Sequence, residues 1–187
     1  MIDLSKAKLI GQGSERQCFQ HPEKPDRCIK IRYNKKRRVD ESIREYRYAK
    51  KYLIGKELPV ALPLSWVETS KGPGLECELV LDKNGEIADT LLATLNKENS
   101  VDLNKLKEAA WAFRDKLLSI PVSVTDMRLQ NICIRENRSG GYELILIDGI
   151  GFANFIKVGK LFPSYTYRQT AERIDRAFKH ILFAQNA

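Results

Sequence analysis

The feature that most constrains this chain is a pair of polar loops on either side of one short predicted hairpin. The first loop reads V-T-D-M-R-L-Q-N, in which Asp126 and Asn131 stand five residues apart. The second loop begins with Asp148 and Gly149, directly after an apolar strand. Residues 132–147 between the loops show two strand patterns around a turn, which predicts a β-hairpin. The hairpin should therefore bring the two loops together, and the glycine lets the backbone turn away behind the second carboxylate.

The residue types in these loops match the needs of phosphoryl transfer. Magnesium prefers one or two carboxylates together with phosphate oxygens, so Asp148 and Asn131 are the candidate ligands for Mg²⁺ or Mn²⁺. In a tight loop, Asp126 would orient or deprotonate an acceptor hydroxyl. The simpler alternative is that these acids only cap turns, because an aspartate and an asparagine at this spacing recur by chance. The hairpin and the buried strand between them favour the metal site.

A glycine-rich turn near the N-terminus precedes a strand that contains a lysine. The turn reads G-Q-G-S-E-R-Q-C-F, and Gly11 and Gly13 would let backbone amides approach phosphates, with Ser14 beside them. Lys30, in R-C-I-K-I, is placed to contact the α- and β-phosphates of ATP. Arg16 stands where the usual pattern has a third glycine. A plain hairpin turn followed by an exposed strand lysine is the alternative.

A helix should follow this strand, and its orientation decides which glutamate reaches the lysine. Asp40 is typical of a helix N-cap, and the helix should end before Gly55. At about 100° per residue, Glu45 lies about 40° from Ala49, at the edge of the apolar stripe, and Glu41 lies about 40° further toward solvent. We therefore assign Glu45 to the ion pair with Lys30. The apolar stripe consists of Ile43, Tyr46, Ala49 and Leu53.

The remaining patterns divide the chain into a strand-rich part and a mainly helical part. Strands are predicted over residues 58–67 and 75–81, around a turn at 71–74. Asp82 lies in the connector that follows and completes the candidate nucleotide-binding set. We place the lobe boundary there, so that residues 1–82 form a β-rich lobe with one helix and residues 83–187 a mainly helical lobe.

Two further helices are predicted in the second lobe. Asp102 should cap the first, whose apolar stripe includes Leu106 and Phe113, and Pro121 should stop it. Thr166 and Gln169 resemble a capping box at the start of a last helix over about residues 167–184. The fold class is therefore α+β.

Charge and cysteine usage limit the setting in which the protein works. The net charge is +8, and ten Lys or Arg against three acids fall within residues 30–51. Such a run is usually a solvated helix face, and otherwise it meets nucleic acid, anionic lipid or an anionic substrate. The four cysteines form no C-x-x-C pair, which argues against a zinc site. No apolar run is long enough for a membrane span, and a reducing cytoplasm is the expected compartment.

The order of parts is that of a protein-kinase-like enzyme, and the chain resembles one family in particular. It is similar to the YrbL-like bacterial proteins, described as members of the PhoP regulatory network with a protein-kinase-like fold. The segments that carry the resemblance are L-I-G-Q-G-S-E-R-Q-C-F, R-C-I-K-I, R-E-Y-R-Y-A-K-K-Y-L, D-K-N-G-E-I, D-M-R-L-Q-N-I and L-I-D-G-I. The resemblance implies a bilobal, ATP-binding fold with a reduced helical C-terminal lobe in the bacterial cytoplasm.

This chain also departs from the usual kinase pattern. Val124 and Thr125 replace the histidine and arginine before the catalytic aspartate, and Gly149 replaces the phenylalanine of D-F-G. There is no A-P-E segment, and 39 residues follow Asp148. We expect the platform for peptide substrates to be largely missing, which leaves small-molecule, glycan or lipid acceptors as alternatives to a protein.

The sequence leaves two main functions open. The first is an ATP- and Mg²⁺-dependent phosphotransferase that uses Lys30, Glu45, Asp126, Asn131 and Asp148. The second is a pseudokinase-like regulator that binds nucleotide, or nothing, and acts through a partner protein. Binding of nucleic acid or of an anionic membrane surface by the basic run is a third option, although its tyrosines are equally explained by packing. Basic residues would equally attract an anionic acceptor.

Overall fold

The structure, a computed structural model, describes residues 1–36, 40–97, 101–151 and 163–182. The chain divides into two compact units. The first unit consists of Met1–Ile54 and Ala61–Leu79, and the second of Gly55–Val60 and Val80–Ala187. These units are defined by packing, and the lobe boundary at residue 82 stays a prediction from the sequence.

The first unit is built on one antiparallel sheet with buried residues on both faces. Its strands are β1 (Leu9–Gln12), β2 (Arg16–Gln20), β3 (Arg27–Arg32), β4 (Pro63–Thr69) and β5 (Gly72–Glu78), in the order β1-β2-β3-β5-β4. Side chains alternate along β3, so Ile29 and Ile31 pack with Leu4 and Phe19 on one face. Cys28 joins a second buried cluster with Leu75 and Cys77. The same alternation places Lys30 on the face of Cys28.

One helix, α1 (Glu41–Tyr52), belongs to the first unit, and its N-cap was predicted correctly. The Asp40 carboxylate accepts a hydrogen bond from the Ser42 amide at 2.8 Å. The predicted apolar stripe was partly wrong, because Ile43 is 39% exposed while Ser42 and Glu45 are buried with Tyr48 and Ala49. The buried face of α1 therefore includes Ser42 and Glu45. Their burial is possible because cationic side chains hydrogen-bond to them.

The turn between β4 and β5 is tighter than the glycines of this region suggest. We predicted a turn over residues 71–74, but β5 already begins at Gly72. The Thr69 hydroxyl donates to the Gly72 carbonyl at 2.6 Å and accepts from the Lys71 amide at 3.1 Å. This side chain closes the hairpin within two residues, so the chain resumes strand pairing earlier than predicted.

The second unit combines a two-stranded hairpin with helices. Its elements are α2 (Leu91–Leu95), α3 (Leu103–Leu118), a 3₁₀ turn (Leu129–Asn131), β6 (Ile132–Glu136), β7 (Tyr142–Leu146), α4 (Pro163–Ala177) and α5 (Lys179–Leu182). The antiparallel pairing of β6 with β7 and the capping of α3 by Asp102 confirm two predictions. No helix in the described part of the chain combines the length and apolarity needed to cross a bilayer.

The last helical region begins earlier than its sequence pattern indicates. Because α4 starts at Pro163, Thr166 lies inside the helix rather than at its N-cap, and its side chain is buried. The predicted capping box with Gln169 is therefore wrong, and a proline in the first turn supplies a better start. Phe178 is fully buried and packs against Phe113 of α3, with 5.8 Å between ring centroids. The predicted end of this helix lies outside the described residues.

Candidate functional site

The first unit contains a buried ion pair between Lys30 on β3 and Glu45 on α1. The lysine Nζ lies 2.9 Å from Glu45 Oε1, and the two residues are 8% and 3% exposed. This is the pair assigned from the sequence. Arg16, the first residue of β2, contacts the second carboxylate oxygen of Glu45, with Nη1 2.6 Å from Oε2. Two cations from neighbouring strands therefore share one buried carboxylate.

Further polar contacts attach the N-terminal half of α1 to the sheet. Arg16 Nη1 also donates to the Ser42 hydroxyl at 3.4 Å. Arg32 on β3 lies 2.8 Å from a Glu15 carboxylate oxygen and 3.4 Å from an oxygen of Asp40, the helix cap. Because these groups are buried or partly buried, the contacts fix how the helix is placed on the strands.

The glycine-rich turn is held by the strand that follows it. The Gly13 amide donates to the Arg16 carbonyl at 2.8 Å, and the Tyr33 hydroxyl donates to the Gly13 carbonyl at 2.8 Å. The Ser14 carbonyl accepts from the Asn34 side chain at 2.9 Å. Neither Gly11 nor Gly13 has a positive φ, and an added Cβ would lie no closer than 3.9 Å to its neighbours. The fold alone therefore does not require glycine at these two positions, and their role toward phosphate stays a prediction.

In the second unit, the two polar loops pair with one another. Val124 and Ile150 form an isolated antiparallel bridge. The Thr125 amide and hydroxyl both donate to the Gly149 carbonyl, at 2.6 and 3.0 Å. On the other side of the bridge, Ser123 Oγ donates to the Gly151 carbonyl at 2.9 Å. This short ladder aligns the loop of Asp126 with the loop of Asp148.

Gly149 is the residue that allows this close approach. Its φ is +85°, and a Cβ added there would lie 2.5 Å from the carbonyl oxygen of Asp126. Backbone contacts of that kind cannot be relieved by a side-chain movement, so only glycine fits. The phenylalanine that is usual at this position would overlap the loop that carries Asp126.

The hairpin places Asn131 and Asp148 at the same end of two paired strands. The pairing of Ile132 with Leu146 is extended by a hydrogen bond of 2.8 Å from the Ile147 amide to the Asn131 carbonyl. The side-chain nitrogen Nδ2 of Asn131 donates to the Asp126 carbonyl at 3.3 Å. The side-chain oxygen Oδ1 therefore points to the other side of the same amide group. Asp148 Oδ1 accepts from the Gly149 amide at 2.6 Å. Each side chain is thus oriented by backbone contacts.

The chemistry of this pair fits Mg²⁺ or Mn²⁺, because a carboxylate and an amide oxygen are hard ligands. Within the described residues, no group of three or more His, Cys, Asp or Glu side chains is arranged to hold a metal by itself. A cation held by Asp148 and Asn131 would therefore need further oxygen ligands, such as phosphates.

Asp126 has a partner that the sequence analysis did not foresee. Arg128 Nε donates to Asp126 Oδ1 at 2.7 Å, and its Nη2 contacts Oδ2, so the guanidinium covers both oxygens. The arginine side chain is 63% exposed and the aspartate 35%. Exposed ion pairs contribute about 0–1 kcal/mol, so a substrate would displace this arginine at little cost. The sequence signal that could have predicted this ion pair is an arginine two residues after an aspartate in an irregular loop.

The helix α4 supports the loop that precedes Asp126. The Thr170 hydroxyl donates to the Val122 carbonyl at 2.7 Å, and Arg173 donates to the Val124 carbonyl. The helix itself is tied to α3 by Arg114, whose Nε lies 2.8 Å from Asp175 Oδ1. The position of the loop is therefore set by residues about 50 positions further along the chain.

Asp82 caps the turn in which it stands. Its Oδ1 accepts from the amides of Asn84 and Glu86, at 2.8 and 2.9 Å. It also lines a cavity of about 210 Å³ within the second unit, together with Asp89 and Tyr142. The turn explains why the residue is an aspartate, and its contact with a nucleotide stays a prediction.

Comparison with known proteins places this arrangement in a family. The model of the family described as "PhoP regulatory network protein YrbL" matches residues 2–184. The chain belongs to the YrbL family. The YrbL proteins of Escherichia coli (strain K12) and of Shigella flexneri are each 28% identical to this family member over 163 residues, which are 83% of this chain and 76% of theirs.

A solved structure confirms the fold class of this YrbL family member. It is similar to Rio2 kinase from Chaetomium thermophilum, with a TM-score of 0.55 and 15% sequence identity, over 95% of this chain. The match covers 56% of the Rio2 chain. The fold is therefore protein-kinase-like, as predicted, with an antiparallel sheet in the first unit and helices with a hairpin in the second.

The structure thus brings together two of the sets proposed from the sequence. Lys30 and Glu45 form one, and Asp126, Asn131 and Asp148 form the other. The sequence analysis missed the contacts that organise them, which come from Arg16, Thr125 and Arg128. Arg16 and Thr125 had been noted only as departures from the kinase pattern.

Proposed function

We propose that this YrbL family member is an ATP- and Mg²⁺-dependent phosphotransferase, acting on a small-molecule, glycan, lipid or protein acceptor. The observation that carries the proposal is the buried ion pair of Lys30 with Glu45, 2.9 Å apart. Burial of two opposite charges is often no gain in stability over apolar residues. The buried lysine and glutamate of the first unit are therefore better explained by a functional role than by a contribution to the stability of the fold.

In this proposal, the first unit binds the nucleotide phosphates. Lys30 contacts the α- and β-phosphates, and Glu45 holds the ammonium in place. Gly11, Gly13 and Ser14 offer a turn over which phosphate oxygens would lie, because none of these residues is buried. Asp82 is the remaining member of the proposed nucleotide-binding set.

The second unit supplies the metal ligands and the group that handles the acceptor. Asp148 and Asn131 would hold Mg²⁺ or Mn²⁺, which neutralises phosphate charge when bound. Asp126 orients the acceptor hydroxyl and takes its proton, once Arg128 has moved off its carboxylate. The similar Rio2 structure is described as an ADP/Mg²⁺-phosphoaspartate complex, which supports nucleotide and magnesium as ligands.

A second candidate function is a pseudokinase-like regulator that acts through a partner. The pairing of both Asp126 oxygens with Arg128 favours it, because an arginine that stays in place keeps an acceptor hydroxyl away from the carboxylate. The enzyme and the regulator differ in what ATP does: the enzyme consumes it, whereas the regulator only binds it or ignores it.

Thermal unfolding with ATP, with and without Mg²⁺, separates these functions. A ligand that binds only the native state adds about 2.7 kcal/mol of stability at 100 times its Kd. We expect a Mg²⁺-dependent rise in Tm that Asp148→Asn removes, since the asparagine keeps the hydrogen bond to the backbone but loses the charge. Asp115→Asn, at a site with 76% side-chain exposure, is the control and should respond like the wild type.

Turnover is measured on the same proteins as ADP release over hours. Release that depends on Lys30 and Asp148 supports the phosphotransferase. A shift in Tm without any ADP release supports the nucleotide-binding regulator. No shift at millimolar ATP would refute nucleotide binding and leave partner binding as the function.

A further inference from the structure

Arg16 reaches the carboxylate that holds Lys30, although the two cations come from different strands. Arg16 Nη1 lies 2.6 Å from Glu45 Oε2, and Lys30 Nζ lies 2.9 Å from Glu45 Oε1. Each oxygen therefore has its own cation. A carboxylate held at both oxygens is fixed in rotation, whereas one held by a single ammonium turns about its last side-chain bond.

All the members of this cluster are buried. Arg16 is 8% exposed, Lys30 8%, Glu45 3% and Ser42 2%. At low exposure a charge–charge interaction is screened much less than at the surface. The two cations therefore compete for the one negative charge of Glu45, and each reduces the attraction that the carboxylate exerts on the other.

Arg16 also fixes the glutamate from the helix side. Ser42 precedes Glu45 by three residues, so both side chains lie on the same face of α1. Arg16 Nη1 contacts the hydroxyl of the first at 3.4 Å and the carboxylate of the second. The Arg16 guanidinium thus fixes the position and the rotation of the N-terminal half of α1 relative to the sheet, and with them the position of Glu45 beside Lys30.

We infer that Arg16 is a positioning residue for Lys30. By occupying Oε2 of Glu45, it keeps the carboxylate in one orientation and prevents the glutamate from neutralising Lys30 completely, so that the ammonium remains able to bind phosphate. This inference rests on the proposed function for its consequence on ATP, but the coupling among the three side chains is a property of the protein alone.

The first test measures the reactivity of Lys30 without any nucleotide. A small acetylating reagent is used at limiting concentration, and acetylation of Lys30 and of the exposed Lys51 is followed by mass spectrometry. In Arg16→Gln, the Glu45 carboxylate is left to Lys30 alone and pairs with it more tightly, so acetylation of Lys30 slows severalfold while that of Lys51 is unchanged. Arg27→Gln, on the same sheet, is the matched control, and Arg16→Lys should restore a rate within about twofold of the wild type, because it keeps the charge.

The second test measures the affinity for ATP and Mg²⁺ in a double-mutant cycle. Arg16→Gln should weaken ATP binding about tenfold, since hydrogen bonds to charged groups typically account for that much. If Arg16 acts through Glu45, the substitution should have no further effect on affinity or on Lys30 acetylation in a Glu45→Gln background.

The outcomes separate the inference from the proposed function. Equal acetylation of Lys30 in Arg16→Gln and Arg27→Gln, or effects that add fully with Glu45→Gln, would overturn the positioning role. A wild-type protein that does not bind ATP, but shows slowed and Glu45-dependent acetylation in Arg16→Gln, would refute the proposed function and leave the coupling established.

Discussion

Replacing Gly149 with alanine tests whether the two loops of the second unit really meet through this residue. The φ of +85° by itself costs a residue with a Cβ about 1–2 kcal/mol. The added carbon would also lie 2.5 Å from the Asp126 carbonyl oxygen and 2.9 Å from its Cβ, where ordinary contacts begin at 3.4 Å. Overpacking of this kind costs about 1–3 kcal/mol, so the free energy of unfolding should fall by about 2–5 kcal/mol in total.

Gly140→Ala provides the matched control for the backbone contribution. Gly140 has a φ of +77° in the turn of the same hairpin, and nothing lies within 4 Å of an added Cβ. Gly140→Ala should therefore lower the free energy of unfolding only by the cost of the positive φ, about 1–2 kcal/mol. The difference between the two variants isolates the contact with Asp126 and should be about 1–3 kcal/mol.

The assay is urea unfolding followed by tryptophan fluorescence. The chain has two tryptophans, Trp66 in the first unit and Trp111 in the second. A Trp66→Phe background makes the signal report on the second unit, where both glycines lie. Equal destabilisation by Gly149→Ala and Gly140→Ala would refute the close approach of the two loops.

Two further predictions concern ionisable groups outside the proposed site. Burial opposes ionisation of Glu76, but hydrogen bonds from Lys24 and Ser65 outweigh it and lower the pKa of this carboxyl below its ordinary value. Ionised Glu76 therefore stabilises the folded protein at any pH above the ordinary pKa. This stabilisation is lost as the pH falls through the lowered pKa. Glu76→Gln should therefore lose less stability than the wild type between pH 7 and pH 3 in urea unfolding, and parallel losses would contradict this account. Burial raises the pKa of the Cys133 thiol to about 12, so iodoacetamide at pH 8 should alkylate the half-buried Cys18 first and Cys133 only on unfolding. Equally fast alkylation of both thiols would show that the native protein exposes Cys133.

Much of the fold was predictable because its signals are local. The β6–β7 hairpin follows from two alternating runs around a turn, and Asp40 and Asp102 cap helices through amides two or three residues away. The start of the last helix was misplaced because Thr166 and Gln169 match a capping box, whereas the helix begins at Pro163, a residue that local rules also favour at a first helical position.

The candidate site divides in the same way. By itself the sequence determined the candidate residues, namely Lys30, Glu45, Asp126, Asn131 and Asp148, because residue type and spacing indicate acids, amides and a strand lysine. It did not reveal that Arg16 would join Glu45 from 29 residues away. Contacts over such separations depend on how elements pack, so tertiary structure alone decided which face of α1 is buried and which cations share its glutamate. Tertiary structure also decided that Gly149 would have to lie against Asp126, since no local rule states how closely two distant loops approach.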